Sequence, residues 1–194
     1  MPSVRQGKLY VLSGPSGVGK DTVLAALKPH VPDLAICITA TTRVMRPTES
    51  PGNPYQFLSM TEFEEMVEAD AFLEWARVNG GNLYGTPRKW VEEQRDAGMD
   101  VLLKIDVQGG LAVRGKVSDA VLIFLEPPTF PDLEKRLRAR STETEDAIRI
   151  RLLDARSELN QRPHYDYAVV NDTIDHAVEQ LQAILLAEKC RIQK

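Results

Sequence analysis

The chain has 194 residues, is 43% hydrophobic and 27% charged, and carries 24 Lys+Arg against 28 Asp+Glu, a net charge of -4. That size and mixture bury a sizeable core, which excludes a disordered protein, and the acidic balance argues against a dedicated nucleic-acid binder. Cys37 and Cys190 make no metal pair or disulfide framework, no apolar run approaches a membrane span, and Leu9–Leu12 is too short for a secretion signal; a soluble cytoplasmic protein with free thiols is expected.

In chain order, Lys8–Leu12 is a short apolar run stopped at Ser13-Gly14-Pro15, which predicts a buried strand. Thr22–Leu27 predicts a helix ending near Pro29. The stretch Thr39–Tyr55, rich in Thr, Pro, Arg and Gly, predicts loop and short strand, and 39–86 reads as a polar, irregular insertion. Inside it, Thr61 with Glu64 forms a capping box, with Phe63, Met66 and Val67 as the apolar stripe behind it. Thr86-Pro87 predicts a helix with Pro at its first position, closed by Gly98.

The apolar runs Val101–Ile105 and Ala120–Leu125 alternate with helical segments, which predicts a parallel sheet covered by helices. A second capping box, Thr142 with Glu145, precedes Ile148, Leu152, Ala155 and Leu159 at helical spacing, in an Arg-rich region near 130–160. Tyr167–Val170 predicts the last strand. The closing helix carries Ile174, Val178, Leu181 and Leu185 on one face. The predicted class is α/β, one unit with insertions.

The strongest chemical signal is Gly14-Pro15-Ser16-Gly17-Val18-Gly19-Lys20 between a predicted strand and a predicted helix. Glycines let backbone N–H groups converge on an anion, the helix N-terminus adds positive potential, and Lys20 would reach the β- and γ-phosphates of a nucleotide. A bare G-x-x-x-x-G-K arises by chance in roughly one chain in twenty of this length, so the flanking strand and helix carry the inference. The position after Lys20, where a Ser or Thr hydroxyl would ligate Mg²⁺, is Asp21, with Thr22 next. A carboxylate there suits the helix dipole but repels phosphate unless a cation intervenes.

The segment Thr41-Thr42-Arg43-Val44-Met45-Arg46-Pro47-Thr48-Glu49 resembles the T-T-R-x-x-R-x-G-E motif of guanylate kinases, with Thr48 where Gly is usual. Phe72-Leu73-Glu74-Trp75-Ala76, Tyr84-Gly85-Thr86, Asp106-Val107-Gln108-Gly109, Arg136–Glu143 and Val169-Val170-Asn171-Asp172 also resemble that family's signatures, in the same order. The resemblance spans about 7–188. It implies a P-loop parallel sheet flanked by helices (1–38, 99–129 and 161–194), an inserted GMP-binding lobe (39–98) and a small helical lid (130–160). It further implies phosphoryl transfer from ATP to GMP with Mg²⁺, and small-molecule partners, ATP and GMP or dGMP, without nucleic acid or membrane, in a monomer or homodimer.

Such transfer requires charge neutralisation and in-line alignment of donor and acceptor. Arg43 and Arg46 are the planar forks suited to a monophosphate, and the resemblance assigns them to the GMP phosphate with Glu49, Tyr55 and Tyr84. It makes Glu74 the guanine reader, with hydroxyls from Thr39 and Thr86 and with Asp106 nearby. A carboxylate accepts together from guanine's ring N–H and amino group, an edge adenine lacks. Arg136, Arg140 and Arg151 correspond to lid arginines over the ATP phosphates, and Asn171 to a position beside adenine. Trp75 reads as packing, and Arg138, Arg149 and Arg156 as an exposed helical face.

Lys104 stands where many relatives carry Asp or Glu, while Asp21 adds a carboxylate to the phosphate loop. The two are expected to face each other and exchange roles, preserving local charge, with Asp21 the one candidate to touch a metal. The competing readings are another P-loop kinase with a different monophosphate or a ribose-bisphosphate substrate, and a non-catalytic module that binds a phosphorylated peptide. Glu74, Thr39 and Thr86 speak for guanine, and the intact loop speaks for an enzyme.

Overall fold

A computed structural model of the chain describes residues 6–47, 49–78, 81–139 and 144–192. Thr48, Asn79, Gly80 and the stretch Arg140–Glu143, and with them the expected roles of Arg140 and Thr142, lie outside the described residues.

The elements in order are β1 (Leu9–Ser13), α1 (Lys20–Leu27), β2 (Leu34–Ile36), β3 (Ala40–Thr41), β4 (Gln56–Phe57), α2 (Met60–Glu68), β5 (Phe72–Arg77) and β6 (Leu83–Pro87). There follow α3 (Arg88–Asp96), β7 (Asp100–Lys104), α4 (Val107–Lys116), β8 (Val121–Glu126), α5 (Phe130–Ala139), α6 (Glu145–Leu159), β9 (Tyr167–Val170) and α7 (Ile174–Lys189). The larger sheet has the strand order β2-β7-β1-β8-β9, and β2/β7 and β8/β9 run parallel. Its strands read as continuous apolar runs, the pattern of a sheet covered on both faces. By contacts the chain divides into two units, Met1–Val11 with Asp33–Val121 and Leu12–Pro32 with Leu122–Lys194.

The first unit holds a second, four-stranded sheet in the order β4-β3-β6-β5, with β3/β6 and β5/β6 antiparallel. The stretch expected to be irregular is therefore a built layer. Ala40, Phe63, Phe72 and Leu83 form its buried core, with Leu58, Met66 and Val67 against it. The Phe63 and Phe72 rings stack at 4.5 Å, and burying one such ring contributes about 2–3 kcal/mol. Trp75, expected to pack, is 46% exposed and meets Phe63 only edge-on at 6.5 Å.

The cap of α2 lies two residues earlier than expected. Ser59 accepts from the Glu62 N–H at 3.2 Å, and the Glu62 carboxylate accepts from the Ser59 N–H at 2.7 Å. Thr61 falls inside the first turn, and the N–H three residues on, at Glu64, lies past the orphan donors that a cap serves. Thr86 and Pro87 belong to β6, because pairing of Pro87 with Phe72 keeps the chain extended; Pro87 is the N-cap, and α3 starts at Arg88. Gly98 closes that helix as expected, with φ 81 and its N–H on the Arg95 carbonyl.

In the second unit α1 packs against α7, whose buried face is Ala177, Val178, Leu181, Leu185 and Glu188. Ile174, expected on that face, is 40% exposed, because the buried stripe begins one turn later. Helix α6 is capped by Thr144, whose hydroxyl accepts from the Ala147 N–H at 3.3 Å. At the last turn of α7, Glu188 accepts from the Tyr167 hydroxyl at 2.5 Å and from Arg191. Cys37 is buried and Cys190 exposed, both as free thiols, and desolvation pushes the Cys37 thiol up to about 12. No helix among the described residues is long and apolar enough to cross a membrane.

Candidate active site

In the second unit the loop between β1 and α1 has the curl its glycines predict. Gly14, Gly17 and Gly19 all have positive φ. Gly19 shows the requirement most plainly: its φ is 106, and a Cβ there would stand 2.6 Å from the Asn171 amide nitrogen. As N-cap of α1 it offers no capping side chain, at a helix N-terminus whose polarity suits an anion. The Lys20 ammonium folds back over the loop, donating to the carbonyls of Gly14 at 2.6 Å and Pro15 at 3.3 Å.

Other second-unit residues brace this loop. Asn171, 6% exposed, donates to the Val18 carbonyl at 2.7 Å. Arg136 donates to the same carbonyl at 3.1 Å and to the Asn171 carbonyl at 2.8 Å. From α6, Arg151 donates to the Ser16 hydroxyl at 2.8 Å, and the Glu158 carboxylate accepts from the Ser16 N–H at 3.2 Å. Arg136, Arg151, Asn171 and Lys20 thus gather on one loop. The bracing roles of Asn171 and Glu158 were not legible in sequence; a Glu on an amphipathic helix carries no mark of the loop it touches. Asp21 and Thr22 are exposed in the first turn of α1.

Arg138 has a different fate. It pairs on the surface with Glu134 at 2.9 Å and Glu145 at 2.7 Å, as its expected exposed position implies.

In the first unit the T-T-R segment runs out of β3. Thr41, fully buried, donates to the Leu83 carbonyl at 2.9 Å, which ties the start of the segment to β6. The Arg43 guanidinium meets both Glu49 oxygens at 2.7 and 3.0 Å, and Glu49 also accepts from the Arg46 N–H at 2.8 Å. These contacts raise Arg43 and hold Glu49 below the usual carboxylate range, the Arg43 hydrogen bond being the main cause for Glu49. Arg43 also lies 5.6 Å from the Tyr55 ring centroid, and the Tyr55 and Tyr84 rings meet edge-on at 5.6 Å. Arg43, Glu49, Tyr55 and Tyr84 are therefore one cluster. The Arg46 side chain is exposed.

A second first-unit cluster centres on Glu74 of β5, which is 3% exposed. Opposite it on β6, Thr86 donates its hydroxyl to the Glu74 carboxylate at 2.5 Å. Burial pushes the Glu74 carboxyl up to about 7; the Thr86 bond opposes that shift, and nearby Asp106 adds to it. Helix α4 approaches closely here because residue 109 is glycine: a Cβ on it would lie 2.7 Å from a Glu74 oxygen. Asp106 is the N-cap of that helix and accepts from the Gly109 N–H at 2.7 Å, so one of its oxygens is structural. Lys116 donates to the Leu73 carbonyl at 2.8 Å and draws the Glu74 titration down. Thr39 is buried at 5% exposure. Lys104, at the end of β7, sets its ammonium 4.9 Å from the Tyr55 ring centroid.

A buried carboxylate facing a threonine hydroxyl suits a ligand with adjacent N–H donors, and the arginine–tyrosine cluster suits an anion. The glycine loop with its lysine suits a polyphosphate.

Comparison with known proteins agrees with these features. The guanylate kinase family model matches residues 6–188. A guanylate kinase of Syntrophomonas wolfei is 48% identical over 189 residues, covering 97% of this chain and 96% of that protein. One from Caldanaerobacter subterraneus is 46% identical over 190 residues, covering 98% of this chain and 92% of that one. The crystal structure of guanylate kinase from Anaplasma phagocytophilum superposes with a TM-score of 0.81 at 32% identity, covering 96% of this chain and 88% of that one. With its phosphate loop, its buried Glu74–Thr86 pair and this length of match, the chain belongs to the guanylate kinase family.

Proposed function

We propose that the chain transfers the γ-phosphoryl group of ATP to GMP, giving ADP and GDP, and so serves purine nucleotide metabolism and GMP recycling. The observation that carries the choice of acceptor is the buried Glu74 carboxylate beside the Thr86 hydroxyl. Ionised, Glu74 accepts from the guanine ring N–H and amino group, while Thr39, and Thr86 once its hydroxyl turns from Glu74, donate to the guanine carbonyl. Adenine offers no such pair of donors on that edge, so the ionised buried carboxylate would keep the Thr86 bond but lose both base contacts, which rejects it.

Arg43, Arg46, Tyr55 and Tyr84 hold the GMP phosphate, and Glu49 keeps the Arg43 fork in one orientation. The amides of Gly14–Gly19 and the Lys20 ammonium hold the ATP phosphates. Arg136, Arg151 and the corresponding Arg140 neutralise charge on the group in transit as the bond to the ADP oxygen breaks and the bond to the GMP phosphate forms. In this reading 39–98 is the acceptor lobe and 130–160 the lid.

Magnesium fits the residues present. The Asp21 carboxylate, exposed beside Lys20, is a hard oxygen donor, and one protein carboxylate with substrate phosphates is an ordinary Mg²⁺ environment. Bound there, the ion would neutralise phosphate charge that Asp21 alone would repel. The expected setting is the cytoplasm, where both nucleotides occur.

The test is a coupled assay of ADP formation with GMP, dGMP, AMP, CMP and UMP, with and without Mg²⁺. Turnover restricted to guanine nucleotides and dependent on Mg²⁺ is expected. Equal rates with AMP and GMP, or none with GMP, would overturn the reading.

A further inference from the structure

The Tyr55 ring in the first unit is approached by two cations. The Lys104 ammonium stands 4.9 Å from its centroid and the Arg43 guanidinium carbon 5.6 Å. Tyr84 meets the same ring edge-on, and its hydroxyl contributes to the hydrogen bonding that raises Arg43. The negative face of this partly buried ring attracts both cations. Glu49 answers the charge of Arg43 with a two-oxygen clasp. Lys104 adds a further positive charge on a different element, β7, and on a flexible four-carbon stem.

We propose that Lys104 is a binding residue for the acceptor's phosphate, holding the monophosphate of GMP together with Arg43 and Tyr55. The proposal rests on the guanylate kinase reading and deepens it, since the motifs there supply arginines and tyrosines but no lysine for this group. The chemistry suits the place: an ammonium is a mobile point charge with three donors, which follows a phosphate where a fixed fork cannot. The Tyr55 face keeps that charge close to the Arg43 cluster before any ligand arrives.

The experiment measures binding of GMP and of guanosine by calorimetry, without ATP, to the full chain and to Lys104→Met, Lys104→Gln and Lys104→Arg. Thermal melting checks that each variant is folded. For the unaltered chain, GMP binds more tightly than guanosine; failure of that preference sinks the acceptor assignment itself. Lys104→Met and Lys104→Gln are expected to weaken GMP about tenfold and leave guanosine unchanged, because one charge-assisted contact is lost. Lys104→Arg keeps the charge but not the compact donor and is expected to recover only part of the loss. If the unaltered chain prefers GMP and both neutral variants keep the same preference, Lys104 does not touch the phosphate. A fall in turnover with unchanged GMP binding also overturns the proposal. Equal weakening of GMP and guanosine assigns Lys104 a structural role instead.

Discussion

Replacing Glu74 by Gln tests the acceptor site through stability and activity together. In the folded chain burial raises this carboxyl from an ordinary 4.5 to about 7. Between those values the folded state holds a proton that the unfolded chain has released, so stability is full below 4.5 and declines as pH rises through 7. At pH 8 the ionised, buried Glu74 therefore costs about 3 kcal/mol relative to acid conditions. Glutamine never ionises and still accepts from Thr86. Glu74→Gln is thus expected to raise Tm at pH 8 by about 5–10 °C while changing it little at pH 4.5. Activity should move the other way. The amide presents donors to guanine's donors, and kcat/KM for GMP falls roughly 100- to 1,000-fold. In the unaltered chain, GMP binding requires proton release below pH 7, so GMP affinity weakens about tenfold per pH unit there, and the variant loses that dependence. Melting curves at the two pH values with GMP titrations from pH 5.5 to 8.5 decide it. An equal Tm change at both pH values would refute the buried-charge reasoning, and unimpaired GMP use would refute the guanine contact.

Three further outcomes concern the loop and the smaller sheet. Lys20→Ala should cut turnover at least ~1,000-fold, while Tm, read by thermal melting, moves little, since the ammonium donates to carbonyls of its own half-buried loop. Gly19→Ala puts a methyl 2.6 Å from Asn171 at φ 106; a cost of about 1–3 kcal/mol and weakened ATP binding are expected in melting and nucleotide titration. Phe63→Ala removes a fully buried ring stacked on Phe72 and should destabilise by about 3–5 kcal/mol in denaturant unfolding. A loss below 1 kcal/mol would show that the core of the smaller sheet is not closed.

Local signals accounted for the parts of the molecule that local physics governs. The runs around Leu9–Leu12, Val101–Leu103 and Val121–Leu125 are strands because continuous apolar residues between turn formers leave little alternative. The phosphate loop was legible because its glycines are needed for backbone angles that other residues resist. The capping pattern read from Thr61 and Glu64 was not the one used: α2 is capped by Ser59 with Glu62, since β4 ends at Phe57 and the chain turns into the helix there.

Residue types and their order were enough to single out Arg43, Glu74, Thr86 and Lys20 and to bring the family into view. What only tertiary structure decided is which of those groups meet and in what charge state. Glu74 titrates near neutrality because β5, β6 and the glycine-lined face of α4 remove it from water, a consequence of packing among segments far apart in sequence. The irregular composition of 39–86 likewise hid a four-stranded sheet, because its short strands are held by pairing across the sheet rather than by propensity. The approach of Lys104 to Tyr55 has the same origin: a strand end and a loop, apart in the chain, are brought together only when the backbone closes.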